Sequence, residues 1–90
     1  MKKIRICAVI VDEDLEAIKG VESLVELFEV RIDLIGDGWP ELVKQLKKPW
    51  IACNRSMKEG GRWRGDEISR IEELFKAGEL GADLLFLSLY

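Results

Sequence analysis

Leu27-Phe28-Glu29-Val30-Arg31-Ile32-Asp33-Leu34 alternates without a break. Phe28, Val30, Ile32 and Leu34 fall on one side, and Glu29, Arg31 and Asp33 on the other. A period of two predicts a β-strand with one apolar and one charged face. What the charged face looks at decides both fold and function. In an antiparallel sheet it looks at water, and nothing follows. In a parallel α/β sheet both faces of a central strand are covered, so three ionisable groups are held inside. Enclosed charges are costly unless they are paired or used for chemistry.

The flanking segments choose between these settings. Residues 3–11 contain the nearly continuous apolar run Ile6-Cys7-Ala8-Val9-Ile10-Val11, the pattern of a strand covered on both faces. Asp12 stands where a helix N-cap would be, and Asp14 and Glu16 supply first-turn acids. After the alternating stretch, Gly36-Asp37-Gly38 is a turn, Pro40 marks the start of a short helix, and Pro49 ends it. Trp50-Ile51-Ala52-Cys53-Asn54 is a third strand, followed by the glycine-rich, charged loop 56–65. Asp66 caps a longer helix whose buried stripe is predicted as Ile68, Ile71, Leu74, Phe75 and Leu80, with Arg70, Glu72, Glu73 and Lys76 in water. Residues 82–90 are a fourth strand. The order β-α-β-α-β-α-β over one domain, residues 1–90, predicts a parallel sheet with right-handed crossovers and enclosed charges.

Composition bounds the chemistry. The 90 residues are 48% hydrophobic and 34% charged, as in globular domains, with a net charge of −3. That balance argues against a general nucleic-acid binder, and Trp63 between Arg62 and Arg64 is read as a loop anchor rather than a stacking patch. No membrane span or signal peptide is expected, which places the chain in the cytoplasm. Cys7 and Cys53 each lie in a strand-like run and read as buried, reduced thiols. The sequence holds no histidine, which removes the commonest general base and metal ligand. No metal and no cofactor are expected. Neither a GxGxxG fingerprint nor a P-loop is present, which disfavours a nucleotide-binding sheet. The remaining architecture that aims charged residues at its centre is the (β/α)8 barrel, of which four strands are half.

Three residues then stand where chemistry can use them: Glu29 and Arg31 on the second strand, and Arg55 at the end of the third. Two arginines aimed at one pocket suit an anionic ligand, above all a carboxylate held by bidentate contacts, and Glu29 is placed to fix the Arg31 guanidinium or accept hydroxyls.

At these residues the chain resembles type I 3-dehydroquinate dehydratase. Glu29-Val30-Arg31-Ile32-Asp33 is similar to that family's E-x-R-x-D strand, and Arg55-Ser56-Met57-Lys58-Glu59-Gly60-Gly61 to its R-x-x-x-E-G-G, in register, over roughly residues 4–83. The resemblance implies a (β/α)8 barrel that converts 3-dehydroquinate to 3-dehydroshikimate in the shikimate pathway of aromatic amino acid biosynthesis. That reaction is a lyase reaction without a metal, using a Schiff-base lysine on the sixth strand and a histidine on the fifth. It also implies that Glu29, Arg31 and Arg55 bind substrate and that Glu59 supports the histidine. No catalytic residue is carried over, because those two strands are not among these ninety residues. The family's D-x-E pattern on the fourth strand falls at Phe86 and Ser88.

The predicted fold is thus a parallel (βα)3β half of a (β/α)8 barrel, with a small 3-dehydroquinate-like anion as ligand and little or no turnover alone. An apolar edge strand invites pairing, so a homodimer closed to eight strands is expected. The alternatives are a non-catalytic, self-associating half-barrel, natural or engineered, and, for the fold, an open sheet with helices on both faces.

Overall fold

The computed structural model describes residues 4–88, so Leu89 and Tyr90 of the predicted fourth strand lie outside the described residues. Four strands form one sheet in the order β1 (Cys7–Ile10), β2 (Leu27–Arg31), β3 (Trp50–Cys53) and β4 (Leu84–Phe86), every pair parallel. The connections carry α1 (Leu15–Val21), α2 (Ile32–Ile35) with α3 (Trp39–Val43), and α4 (Glu67–Glu79). Strand order follows chain order without reversal. Successive right-handed crossovers in such a sheet place every helix on the same face, the winding of a barrel segment.

Burial shows that face directly. Ala8, Phe28 and Trp50 stand side by side across the sheet, as do Ile10, Val30, Ala52 and Leu85. All of them join the core with Ile18 of α1, Leu42 and Val43 of α3, and Leu74 and Ala77 of α4. The opposite face carries the row Val9, Glu29, Ile51, Leu84 and the row Arg31, Cys53, Phe86. Among the described residues no helix covers it: Val9 is 52% exposed, Leu84 56% and Phe86 47%. The open sheet with helices on both faces is therefore not adopted, and the Glu29–Arg31 face is half-buried rather than sealed.

Local chemistry shifts several predicted boundaries. The alternation of residues 27–34 is a strand only as far as Arg31. Ile32 and Ile35 then sit one helical turn apart and both turn toward the core, while Leu34, predicted on the apolar face, is exposed. The cap of α1 is Asp14, which accepts the Ala17 N–H at 3.0 Å, rather than Asp12, which accepts the Asp14 N–H at 3.0 Å in an Asx turn. Asp66 does cap α4, accepting from Ser69 at 2.8 Å. The buried stripe of α4 is Arg70, Leu74 and Ala77, however, and the predicted core residues Ile68 and Phe75 are 70% and 64% exposed. Cys7 is exposed and Cys53 buried, both as free thiols.

Candidate functional site

Parallel strands end together, and the carboxyl edge of this sheet gathers the charged residues. Glu29 and Arg31, two apart on β2, point to the same open face, and Arg55 follows Cys53, which pairs with Arg31 in the register. The structure thus brings Glu29, Arg31 and Arg55 to one sheet edge, as the alternation and the motif lead one to expect.

Their partners differ from expectation. Glu29 does not fix Arg31. Asp33 does, accepting from Nε at 3.1 Å and Nη2 at 2.9 Å in a bidentate pair. The Asp33 side chain has no solvent exposure, and it also accepts the Arg62 backbone N–H at 2.9 Å. Burial pushes the Asp33 carboxyl up, but hydrogen bonds from Arg31 and from the backbone N–H groups of Arg62 and Arg55 outweigh it and hold the group below its ordinary value. The same pair raises Arg31 further above its already high value. Charge at this spot is neutralised within two residues of sequence, with Asp33 in the turn of α2 set back against Arg31. Glu29 is half-buried, and its side chain makes no hydrogen bond among the described residues, so both carboxylate oxygens remain available as acceptors.

Arg55 is in the opposite condition. Among the described residues no carboxylate lies within ion-pair distance of its guanidinium, and its buried Nε has no hydrogen-bond partner. The guanidinium carbon stands 6.0 Å from the centroid of the Phe86 ring, within range of a cation–π contact. The loop that follows is bent back onto this residue: Trp63 N–H donates to the Arg55 carbonyl at 3.1 Å, and Gly61 N–H to the Ser56 carbonyl at 2.8 Å. The two glycines of the motif serve different needs. Gly60 has φ +86°, a left-handed conformation that side chains resist. Gly61 is so close to the strand end that a Cβ would lie 2.2 Å from the Arg55 carbonyl oxygen.

Glu59 sits in a short 3-10 turn (Met57–Glu59), where its Oε1 accepts the Ser56 N–H at 3.1 Å. Its Oε2 accepts a hydrogen bond from the Ser88 hydroxyl, and Arg70 Nη1 stands 3.7 Å from Oε1. The Ser88 hydrogen bond, opposed by burial and helped by Ser56 N–H, Arg70 and Arg55, holds the Glu59 carboxyl below its ordinary value. Ser88 thus occupies one oxygen of the carboxylate that the family resemblance assigns to the support of a histidine.

Sequence reasoning placed Arg70 in water, yet it is 1% exposed. The usable signal was its position: residues 70, 74 and 77 make an i, i+4, i+7 stripe, and a cation in that stripe must be buried with partners. Cys53, also on this sheet edge, is pushed up to about 11 by burial and then by Glu29, so it is a neutral packing thiol. Beside the site, a cleft of about 620 Å³ lined by Ser56, Lys58, Trp63, Arg64 and Glu67 runs along the loop without including Glu29, Arg31 or Arg55. Among the described residues no cluster of metal-ligating side chains is found.

The chain matches the family model "Type I 3-dehydroquinase" over residues 5–89. It is 40% identical over 86 residues to a 3-dehydroquinate dehydratase of Dehalococcoides mccartyi, covering 94% of this chain and 38% of that protein. It is 38% identical over 82 residues to one of Methanosarcina acetivorans, covering 81% and 34%. A third, from Methanothrix thermoacetophila, is 32% identical over 82 residues, covering 87% and 35%. The chain therefore spans well under half the length of the curated relatives it matches. The match over nearly all of its residues, with the E-x-R-x-D strand and the R-x-x-x-E-G-G loop meeting at one edge of a singly wound parallel sheet, makes the chain a member of the type I 3-dehydroquinase family.

Proposed function

We propose that these ninety residues are the substrate-binding part of a dehydroquinate dehydratase barrel. The observation that supports this best is Arg55: a guanidinium without a counter-ion among the described residues, at the carboxyl end of a parallel strand, beside an arginine already neutralised by Asp33. A buried-edge arginine without a partner is suited to a ligand carboxylate, which it holds through two parallel N–H···O bonds. Arg31, anchored through Nε and Nη2, keeps Nη1 for ligand oxygens, and Glu29, free and acceptor-only, takes hydroxyl protons. These contacts fix a polyhydroxy carboxylate such as 3-dehydroquinate in one orientation over the open face, and orientation of a bound reactant is itself a large part of a rate enhancement. Covalent catalysis through a lysine iminium and proton transfer by a histidine belong, in this family, to strands five and six. The ninety residues hold no histidine, so the proposed role of this part alone is binding without turnover.

Calorimetric titration with 3-dehydroquinate, paired with borohydride reduction and intact mass measurement, tests the proposal. Saturable binding that falls at least about tenfold in Arg55→Ala, with no adduct on any lysine, is expected; a tenfold loss corresponds to about 1.4 kcal/mol, within the range of one charge-assisted hydrogen bond. Undiminished binding in Arg55→Ala contradicts the assignment, and a reduced lysine adduct contradicts the non-catalytic role.

A second reading, self-association, is favoured by one observation. The open face and the β4 edge expose Val9, Leu84, Phe86 and Leu87 together. We propose that two copies pair edge to edge and bring eight strands around one interior, burying this surface. Light scattering on the eluting protein tests it, and a monomer at micromolar concentration contradicts it. Two free thiols suit a reducing cytoplasm, the compartment we propose. Among the described residues no helix is long and apolar enough to cross a membrane.

A further inference from the structure

The Arg70 side chain is 1% exposed, and it lies outside the ligand-facing edge. Its Nε and Nη2 donate to Glu67 at 2.9 and 2.8 Å, and its Nη1 donates to the Asn54 carbonyl at 2.8 Å. Nη2 also reaches the Ser88 carbonyl at 3.3 Å, and Nη1 stands 3.7 Å from Glu59 Oε1. In return, Asn54 Nδ2 donates to the Arg70 carbonyl at 3.3 Å. One guanidinium from α4 therefore ties together the residue after β3, the residue two beyond β4, and the carboxylate of the loop between β3 and α4. Asn54 is 1% exposed and immediately precedes Arg55, so this tie also sets where Arg55 leaves the sheet.

We propose that Arg70 is a positioning residue: from beneath the sheet edge it fixes the place and the negative charge of Glu59, and through Asn54 it fixes the backbone of Arg55. This rests on the reading of Glu59 and Arg55 as residues of the ligand site. The groups facing Glu59 are the Ser56 N–H and the Arg55 cation from the β3 end, the Ser88 hydroxyl from beyond β4, and Arg70 from α4. Only Arg70 among them both carries charge and is locked by other contacts. Glu67, its strongest partner, is 62% exposed and competes with Glu59 for the same guanidinium. Fork geometry explains why a lysine would not serve equally: four acceptors from three chain segments converge on one planar group.

The experiment follows the Glu59 side-chain carboxyl carbon by NMR through an acid titration of the ninety-residue chain. In Arg70→Met the Glu59 proton affinity rises about threefold, because an opposite charge 3.7 Å away is removed while the Ser88 and Ser56 hydrogen bonds remain. In Arg70→Lys most of that rise is absent, since the charge remains, while the Asn54 side-chain amide resonances move because the fork is lost. Glu67→Gln, isosteric and at a 62% exposed position, keeps an acceptor for Arg70 but removes the competing anion, and the Glu59 proton affinity falls twofold or more. This variant keeps the proposal testable even where Arg70→Met does not fold. Glu59 titrating alike in the parent, Glu67→Gln and any folded Arg70 variant overturns the proposal. Titration with 3-dehydroquinate on the same samples separates the two readings. A parent that does not bind it, with Glu59 still responding to Arg70, removes the ligand assignment and leaves the positioning role. A parent that binds it as tightly as Arg70→Met and Arg70→Lys do overturns the positioning role and leaves the ligand assignment.

Discussion

Replacing Asp33 by Asn removes the charge that neutralises Arg31 while keeping the shape of the side chain. Asp33 receives two hydrogen bonds from Arg31 and one from the Arg62 backbone, with no exposure of its side chain to water. Asn retains one acceptor oxygen in place of two. The second guanidinium contact faces an amide N–H instead, and Arg31, only 14% exposed, loses its counter-ion. Breaking one member of a buried pair costs about 3–5 kcal/mol, and the limited access of Arg31 to water brings the expected loss to about 2–3 kcal/mol. A ninety-residue domain has about 5–13 kcal/mol in total, so the midpoint of thermal unfolding should fall by roughly 10–20 °C. Urea unfolding followed by circular dichroism measures this directly, and the midpoint should move by about 1–2 M. The double variant Arg31→Met/Asp33→Asn is the control, because removing both charges lifts the penalty of an unpaired cation and should recover a large part of the loss. The pH dependence has a fixed sign. The folded carboxyl lies below its unfolded value, so its contribution is complete above the unfolded range near about pH 4 and is lost as pH falls through the folded value. Asp33→Asn should therefore flatten the acid limb of the stability curve. An Asp33→Asn protein within about 0.5 kcal/mol of the parent, the range of an ordinary surface change, would refute the view that this pair anchors the site.

Other outcomes follow from the same geometry. Gly61→Ala places a Cβ 2.2 Å from the Arg55 carbonyl oxygen and should cost about 2 kcal/mol or more and weaken ligand binding, whereas Gly20→Ala, which meets no atom within 4 Å, should be neutral or slightly stabilising in urea unfolding. Thiol labelling at pH 8 should modify exposed Cys7 well before Cys53, which burial places at about 11 and which should react only in denaturant. Val9→Lys together with Leu84→Lys, both on the open face, should abolish any dimer seen by light scattering while leaving the helix signal unchanged.

The strand order and the meeting of Glu29, Arg31 and Arg55 were legible because they rest on long-range periodicity and on two motifs in register. Local competition obscured the rest. Residues 32–34 continue a period of two by composition, yet Ile32 and Ile35 also fit one helical turn, and that turn is the one that accompanies the Arg31–Asp33 pair. Arg70 occupies a position that periodicity assigns to the core, but its residue type assigned it to water; only the convergence of Asn54, Glu59, Glu67 and Ser88 makes a buried guanidinium tolerable. That convergence joins segments up to 34 residues apart, which no local pattern records. Conversely, Ile68 and Phe75 are apolar, yet they stand outside the 70-74-77 stripe and remain exposed on the described chain.

Arginine side-chain NMR gives the most direct measurement on the central claim, that Arg55 is the ligand-binding cation and Arg31 its anchored neighbour. With 3-dehydroquinate added to the ninety-residue chain, the Arg55 Nε–H resonance should move saturably and sharpen, while the Arg31 Nε–H, already held by Asp33, should move little. An Arg55 signal indifferent to ligand, or one that responds equally to added chloride at the same ionic strength, would contradict the account.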